Sequence, residues 1–103
     1  SKRIIIVASR PNLRYPDAPE MDAIVMVNPE IMSTSERMIL GEEGCLSVAG
    51  ERGNVHRAES IQAKFFNVNG ELKIQKFIGF PARIVQHEID HLDGILFVDR
   101  IAL

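Results

Sequence analysis

The sequence has little cysteine, few aromatic residues and no excess of basic charge. Its 103 residues include one cysteine, one tyrosine and no tryptophan. A single cysteine cannot form an internal disulfide, so a reducing compartment is the simpler expectation. The 12 basic and 14 acidic residues form no basic block, so nothing in the sequence is typical of nucleic-acid binding.

Long hydrophobic runs are also missing. No apolar run approaches the length of a membrane span, and the run at 4–7 is too short for a signal peptide. We therefore expect no DNA or membrane partner. A bacterial-type cytoplasm is the default location, and an organelle is the alternative because a transit peptide would precede Ser1. The chain starts with Ser1 rather than Met, and its first strand pattern follows almost at once. This start is the reason to expect a segment of a longer protein.

The composition is that of an ordinary globular protein. The hydrophobic share is 46% and the charged share is 25%, and 103 residues suit one domain with a single core. Strand patterns occupy most of the chain, and the one clear helical pattern comes late. These features predict an α+β fold in which antiparallel strands pack around one central helix.

Local patterns divide the chain further. Strands are predicted at 4–8, 23–28, 60–68 and 71–78, with the second ending at the Asn-Pro pair 28–29. Segment 31–40 favours a bulged strand over a short helix, and 43–48 favours a short extended piece. Gly, Pro and charged residues predict loops at 10–22 and 49–57 and a turn at 41–44.

Two further patterns concern the end of the chain and its last hairpin. The Asn-Gly pair at 69–70 predicts a two-residue type I′ turn between the last two strands. Apolar residues at 95–103 predict a tail that packs back on the body of the domain.

The predicted helix lies between Pro81 and Gly94. Proline is favoured at the first helical position, and a glycine with positive φ commonly follows the last turn. Between them, Val85, Ile89 and Leu92 recur at the spacing of an apolar helical stripe. The helix should therefore bury one face.

A His-Glu-x-x-His motif lies on this helix. His87 and His91 are four residues apart, so both imidazoles lie on one face and can bind one metal ion. Glu88 follows the first histidine and can take a proton from a water that the metal activates. The competing interpretation is that the two histidines only form hydrogen bonds within a buried helix.

A catalytic zinc-type site usually has three protein ligands. Cys45 is the best candidate for the third, since thiolate is a strong ligand for zinc and iron. Alternatively, Cys45 is a small buried residue, or a nucleophile with a histidine as its base. His56 competes as a ligand, but its loop composition indicates an exposed position.

The runs Glu-Gly-Cys-Leu-Ser at 43–47 and His-Glu-x-x-His at 87–91 together resemble the peptide deformylases. These enzymes remove formate from the N-terminal formyl-methionine of new bacterial and organellar proteins. The order and separation of the two motifs match the family, and the similarity runs the length of the chain. The resemblance implies that Cys45, His87 and His91 are the metal ligands and that Glu88 is the general acid/base.

The resemblance implies further roles. The backbone N–H of Leu46 would donate to the formyl oxygen, Arg52 would help to hold the substrate peptide, and Phe80 and Ile84 would form walls of the methionine pocket. A second set supports the site: Glu43 and Arg57 would pair to brace the ligand loop. Asp90 and Asp93 are interpreted as solvated helix charges, with orientation of a histidine N–H as the alternative. Arg83 either lines the cleft or faces water, and the sequence does not decide between the two.

The implied cofactor is one divalent metal ion, Fe²⁺ in the cell, with Zn²⁺, Ni²⁺ or Co²⁺ able to replace it. The implied partners are an N-formylmethionyl peptide and, through it, nascent chains at the ribosome, and the protein would be a monomer. The family's Gly-rich motif ending in Gln is expected before Ser1, so the chain is interpreted as a single domain, 1–103, without the family's N-terminal part. Three alternatives remain: a truncated or inactive relative that binds metal without turnover, another small His-Glu-x-x-His metallopeptidase, and a structural metal site with His56 as its fourth ligand.

Overall fold

The computed structural model describes residues 3–11, 13, 15–45 and 48–95, and for residues 45 and 48–52 it describes the backbone alone. The elements in chain order are β1 (Ile4–Ser9), β2 (Met21–Thr34), β3 (Met38–Cys45), β4 (Val48–Ala58), β5 (Ser60–Phe66), β6 (Leu72–Ile78) and α1 (Phe80–Leu92). Within these ranges, an antiparallel four-stranded sheet of order β1-β2-β5-β6 and a two-stranded β3-β4 sheet accompany one helix. The predicted α+β class is confirmed.

The core lies between the four-stranded sheet and α1. Successive residues of β1 and β5 alternate between exposed and buried positions, as expected for a sheet with one covered face. The buried apolar residues form one cluster: Ile5, Val7, Met26, Ala58, Ile61, Ala63, Phe65, Phe77, Ala82, Val85 and Ile89. The apolar stripe predicted for the helix therefore faces the sheet.

Strand β2 is longer than predicted. It does not end at Pro29 but continues to Thr34, with a register shift between Val27 and Glu30 against β5. Asn28 has a positive φ of 50° at this irregularity. Proline lacks an N–H and is tolerated in a sheet where the ladder is already interrupted, so the strand passes through it. Segment 31–40 is extended, as predicted, but 35–37 separate β2 from β3.

The hairpin of β3 and β4 replaces a predicted turn and a predicted loop. Residues 41–44 and 49–57 belong to paired strands, whose register runs from Met38 opposite Ala58 to Cys45 opposite Val48. Both predictions were wrong because charged residues occupy inward positions of this hairpin. Glu43 and Arg57 are each 4% exposed, so burial here does not follow hydrophobicity.

The hairpin of β5 and β6 is confirmed, but its turn is not the two-residue type. The loop spans 67–71, where the Asn67 N–H donates to the Glu71 carbonyl at 3.0 Å and the Gly70 N–H to the Asn67 carbonyl at 3.0 Å. Gly70 has φ of 79°, whereas Asn69 does not have the positive φ that type I′ requires. The Asn67 side chain stabilises the longer loop by accepting the N–H groups of Asn69 and Glu71.

Helix α1 begins and ends where the sequence predicts, with Pro81 in its first turn and Gly94 at φ 77° after its end. It is also tied to the end of β4. Gln86 accepts the Ala58 N–H and donates to the Ala58 carbonyl, both at 3.0 Å. Among the described residues, α1 is too short and too polar to cross a bilayer. Of the predicted tail, 96–103 lie outside the described residues.

Candidate metal centre

The His-Glu-x-x-His residues converge on one face of α1. His87, Glu88 and His91 each offer a ligand atom, and these atoms lie within 4.8 Å of one another. The two imidazole rings are 4.5 Å apart between centroids and inclined by 56°. All three side chains are half-buried, so the cluster lies at the edge of the core with access to a ligand.

Strand β3 supplies a carboxylate to the first histidine. Glu43 Oε1 lies 2.8 Å from His87 Nδ1. This hydrogen bond raises the pKa of His87, and burial opposes it. A carboxylate on one ring nitrogen is typical of histidines that ligate a metal through the other nitrogen. The donor set and this pairing fit a divalent metal bound by His87 Nε2 and His91.

Glu43 is in turn held by a buried arginine. Arg57 donates from Nε to Glu43 Oε2 and from Nη2 to Glu43 Oε1, both at 2.9 Å, so the expected pairing is confirmed. Arg57 Nη1 also donates to Asp90 Oδ2 at 2.5 Å. The interpretation of Asp90 as a solvated charge was wrong, because it is 8% exposed and faces this guanidinium. Asp93 is at the surface, where it pairs with Arg3.

These contacts keep Glu43 ionised. Burial alone would raise its pKa, but hydrogen bonds from His87, Arg57 and Arg83 outweigh burial and lower the pKa to about 2. Arg83, which the sequence left unplaced, donates from Nη1 to Glu43 Oε2 at 2.5 Å. At neutral pH, Glu43 is therefore a fixed acceptor for the His87 ring.

A cleft of about 170 Å³ opens beside His87. Its walls include Phe80 and Ile84, and His87 and Glu88 also line it. Tyr15, from the loop before β2, lies across it with its ring 5.1 Å from that of Phe80. Its hydroxyl donates to the Glu42 carbonyl at 3.3 Å. Tyr15 was not among the site residues predicted from the sequence. The available signal was that it is the only tyrosine of the sequence and lies in a proline-rich loop.

Of the other predicted site residues, the backbones of Cys45 and Arg52 lie near the end of the β3–β4 hairpin. The Cys45 backbone ends β3, two residues after Glu43, and the Arg52 backbone pairs with that of Gly44. The side chains of Cys45 and Arg52, and Leu46 as a whole, lie outside the described part of the chain. His56 is exposed, as predicted.

Comparison with known proteins supports the resemblance over the whole sequence. The family model for polypeptide deformylase matches residues 1–103. Peptide deformylase 2 of Nostoc sp. is 52% identical over 101 residues, which are 98% of this chain and 56% of that protein. Peptide deformylase 2 of Shewanella oneidensis is 48% identical over 97 residues, 94% of this chain and 54% of that protein.

Solved structures agree with the fold. The Met-Ala-Ser-bound class I type b peptide deformylase from Acinetobacter baumannii superposes with a TM-score of 0.94 at 68% identity, covering 96% of this chain and 62% of that one. The peptide deformylase of Thermotoga maritima gives 0.77 at 36% identity, covering 80% and 56%. The chain spans little more than half the length of the named sequence relatives. From the family match and these similarities, the chain belongs to the polypeptide deformylase family.

Proposed function

We propose that this chain carries the metal ligands and the general acid/base of a peptide deformylase, a hydrolase that releases formate from N-formylmethionyl peptides. The observation that carries the proposal is the convergence of His87, Glu88 and His91, with Glu43 on His87 Nδ1. The chain forms one domain, and the remaining length of its relatives leaves room for the expected Gly-rich motif ending in Gln. Nascent chains in a bacterial-type cytoplasm are the proposed substrates, and a monomer is the proposed state.

The proposed metal ligands are Cys45, His87 and His91. Fe²⁺ is the expected ion, with Zn²⁺, Ni²⁺ or Co²⁺ as substitutes. The chemistry that such an ion supplies when bound is polarisation of the formyl oxygen and a lowered pKa of water. Glu43 supports the site by holding the His87 ring through Nδ1, at 2.8 Å.

The residues of the chain carry the proton transfers. Glu88 accepts a proton from the attacking water, whose oxygen bonds to the formyl carbon. The backbone N–H of Leu46 is the proposed donor to the developing oxyanion. As the C–N bond breaks, Glu88 passes its proton to the leaving amine, and formate departs. Arg52 is proposed to hold the peptide beyond the methionine.

The methionine side chain is proposed to occupy the cleft beside Phe80 and Ile84, with Tyr15 as a further wall.

Tyr15→Ala is expected to lower kcat/KM for a formyl-Met peptide by about tenfold or more, since it removes a face of the pocket. Tyr15→Phe keeps the ring against Phe80 and should lose less. Steady-state kinetics of both variants check this, and equal losses would contradict a role for the ring.

The proposed ligands make a second prediction. His91→Ala should abolish metal binding, because it removes one of the two imidazoles of the motif, whereas the exposed His56→Ala should bind one metal per chain. Metal content after desalting measures both. Loss of metal from the His56→Ala variant would instead indicate that His56 is a metal ligand.

The direct test uses the full-length protein loaded with Fe²⁺ or Ni²⁺ without oxygen. Formate release from formyl-Met-Ala-Ser, with bound metal counted in the same sample, is the expected result. One metal per chain without formate would overturn the proposal and favour an inactive metal-binding relative. Cleavage of internal peptide bonds without formate release would favour a small metallopeptidase instead.

A further inference from the structure

Arg83 reaches from the first turn of α1 into the β3–β4 hairpin. Its Nη1 donates to Glu43 Oε2 at 2.5 Å and to the Val55 carbonyl at 3.0 Å, and its Nη2 donates to the Ile39 carbonyl at 2.6 Å. The residue is 9% exposed. One guanidinium therefore joins the helix to both strands of the hairpin and to the carboxylate that holds His87.

The two oxygens of Glu43 both accept from Arg57 but differ in their second partner. Oε1 accepts from Arg57 Nη2 and contacts His87 Nδ1, whereas Oε2 accepts from Arg57 Nε and from Arg83. Arg57 is on the same hairpin as Glu43, but Arg83 is on the helix that carries His87. The helix therefore contacts both oxygens of Glu43, through His87 at Oε1 and through Arg83 at Oε2.

Gly41 leaves room for this guanidinium. A Cβ at position 41 would lie 2.9 Å from both Cζ and Nη2 of Arg83 and 3.1 Å from its Nε. The glycine does not have a positive φ, so its backbone conformation would accept alanine without strain. Glycine in a strand interior weakens the strand and often marks a close approach. Here the close approach is that of Arg83.

We propose that Arg83 is a positioning residue that sets metal affinity through Glu43 and His87, and that Gly41 is the space it requires. The inference rests on the proposed function, since it concerns the same metal site. A Cβ at 41 displaces the guanidinium from three acceptors at once, so Glu43 Oε2 loses its partner on the helix and only the His87 contact at Oε1 remains there. The His87 ring then loses part of its orientation.

The test is a double-mutant cycle in the full-length protein with Gly41→Ala, Arg83→Met and the pair. Zn²⁺ affinity is measured by chelator competition, and the visible spectrum of the Co²⁺ form reports ligand geometry. Each single variant is expected to bind Zn²⁺ about tenfold or more weakly and to shift the Co²⁺ spectrum, because supporting partners of metal ligands typically contribute 10- to 100-fold. In the Arg83→Met background, Gly41→Ala should add no further loss.

The control is Ile61→Val, a buried position of β5 that does not line the cleft, where the loss of a methyl group lowers stability and leaves Arg83 and its acceptors in place. It should keep wild-type affinity and spectrum. The positioning role would be overturned if Gly41→Ala kept wild-type Zn²⁺ affinity and Co²⁺ spectrum, or if the losses in the double variant were fully additive. In either case, formate release by the wild-type protein would leave the proposed function standing. Wild-type protein that binds metal without releasing formate would overturn the proposed function alone.

Discussion

Replacing Glu88 with alanine is expected to leave the metal bound and to lower the rate of formate release by about 10²- to 10⁴-fold. The carboxylate has two proposed tasks, taking a proton from water and giving it to the leaving amine, and alanine can perform neither. The measurement is kcat for a formyl-Met peptide, with metal counted per chain in the same sample.

The controls separate proton transfer from ligation. Glu88→Gln keeps the shape of the side chain and should be as slow as the alanine variant, while Glu36→Ala, at an exposed position, should have wild-type activity. Because the Glu88 carboxylate lies within 4.8 Å of the histidine ligand atoms, it is close enough to be a ligand itself. Loss of metal from Glu88→Ala would assign it that role and contradict the acid/base assignment.

Arg57→Met is expected to lower the free energy of unfolding by about 3–5 kcal/mol, the typical effect of removing one member of a buried ion pair. Arg57 pairs with both Glu43 and Asp90, and its side chain is 4% exposed. In a protein of the length of its relatives, the change corresponds to a fall in Tm of about 6 °C or more. Denaturant titration and thermal unfolding of the full-length apoprotein measure it.

The matched control is an arginine in an exposed pair. Arg37 lies 3.2 Å from Glu59 with 72% of its side chain exposed. Arg37→Met should change the free energy of unfolding by less than about 1 kcal/mol, since solvent screens such pairs. Equal effects of the two variants would mean that the buried cluster adds no more stability than a surface contact.

The helix and its metal-binding face could be predicted because their signals are local. Pro81 and Gly94 bound the helix, and the four-residue spacing of His87 and His91 places both rings on one face. These features depend on residues within a few turns of one another. The β5–β6 hairpin could also be predicted from local signals, because its two strands follow one another in the sequence. Its loop is longer than the Asn-Gly pair predicts, since the Asn67 side chain accepts hydrogen bonds from two backbone N–H groups of the loop.

The β3–β4 hairpin could not be predicted because its inward residues are charged. Alternation of hydrophobic and polar residues identifies a strand only where burial follows hydrophobicity. Glu43 is buried because Arg57 and Arg83, 14 and 40 positions away, neutralise it. The burial of Asp90 follows from the same pairing. The contacts of Arg83 and Asp90 exist only after the hairpin and the helix have met.

The Gln86 side chain gives Ala58 the hydrogen bonds that a neighbouring strand would give, one donated and one accepted. Since the Ala58 amide proton is directed at a side chain of α1, it can exchange with solvent only when that contact opens. In deuterated buffer, the exchange rate at this single amide therefore reports how often the contact between the metal-binding helix and the end of β4 opens.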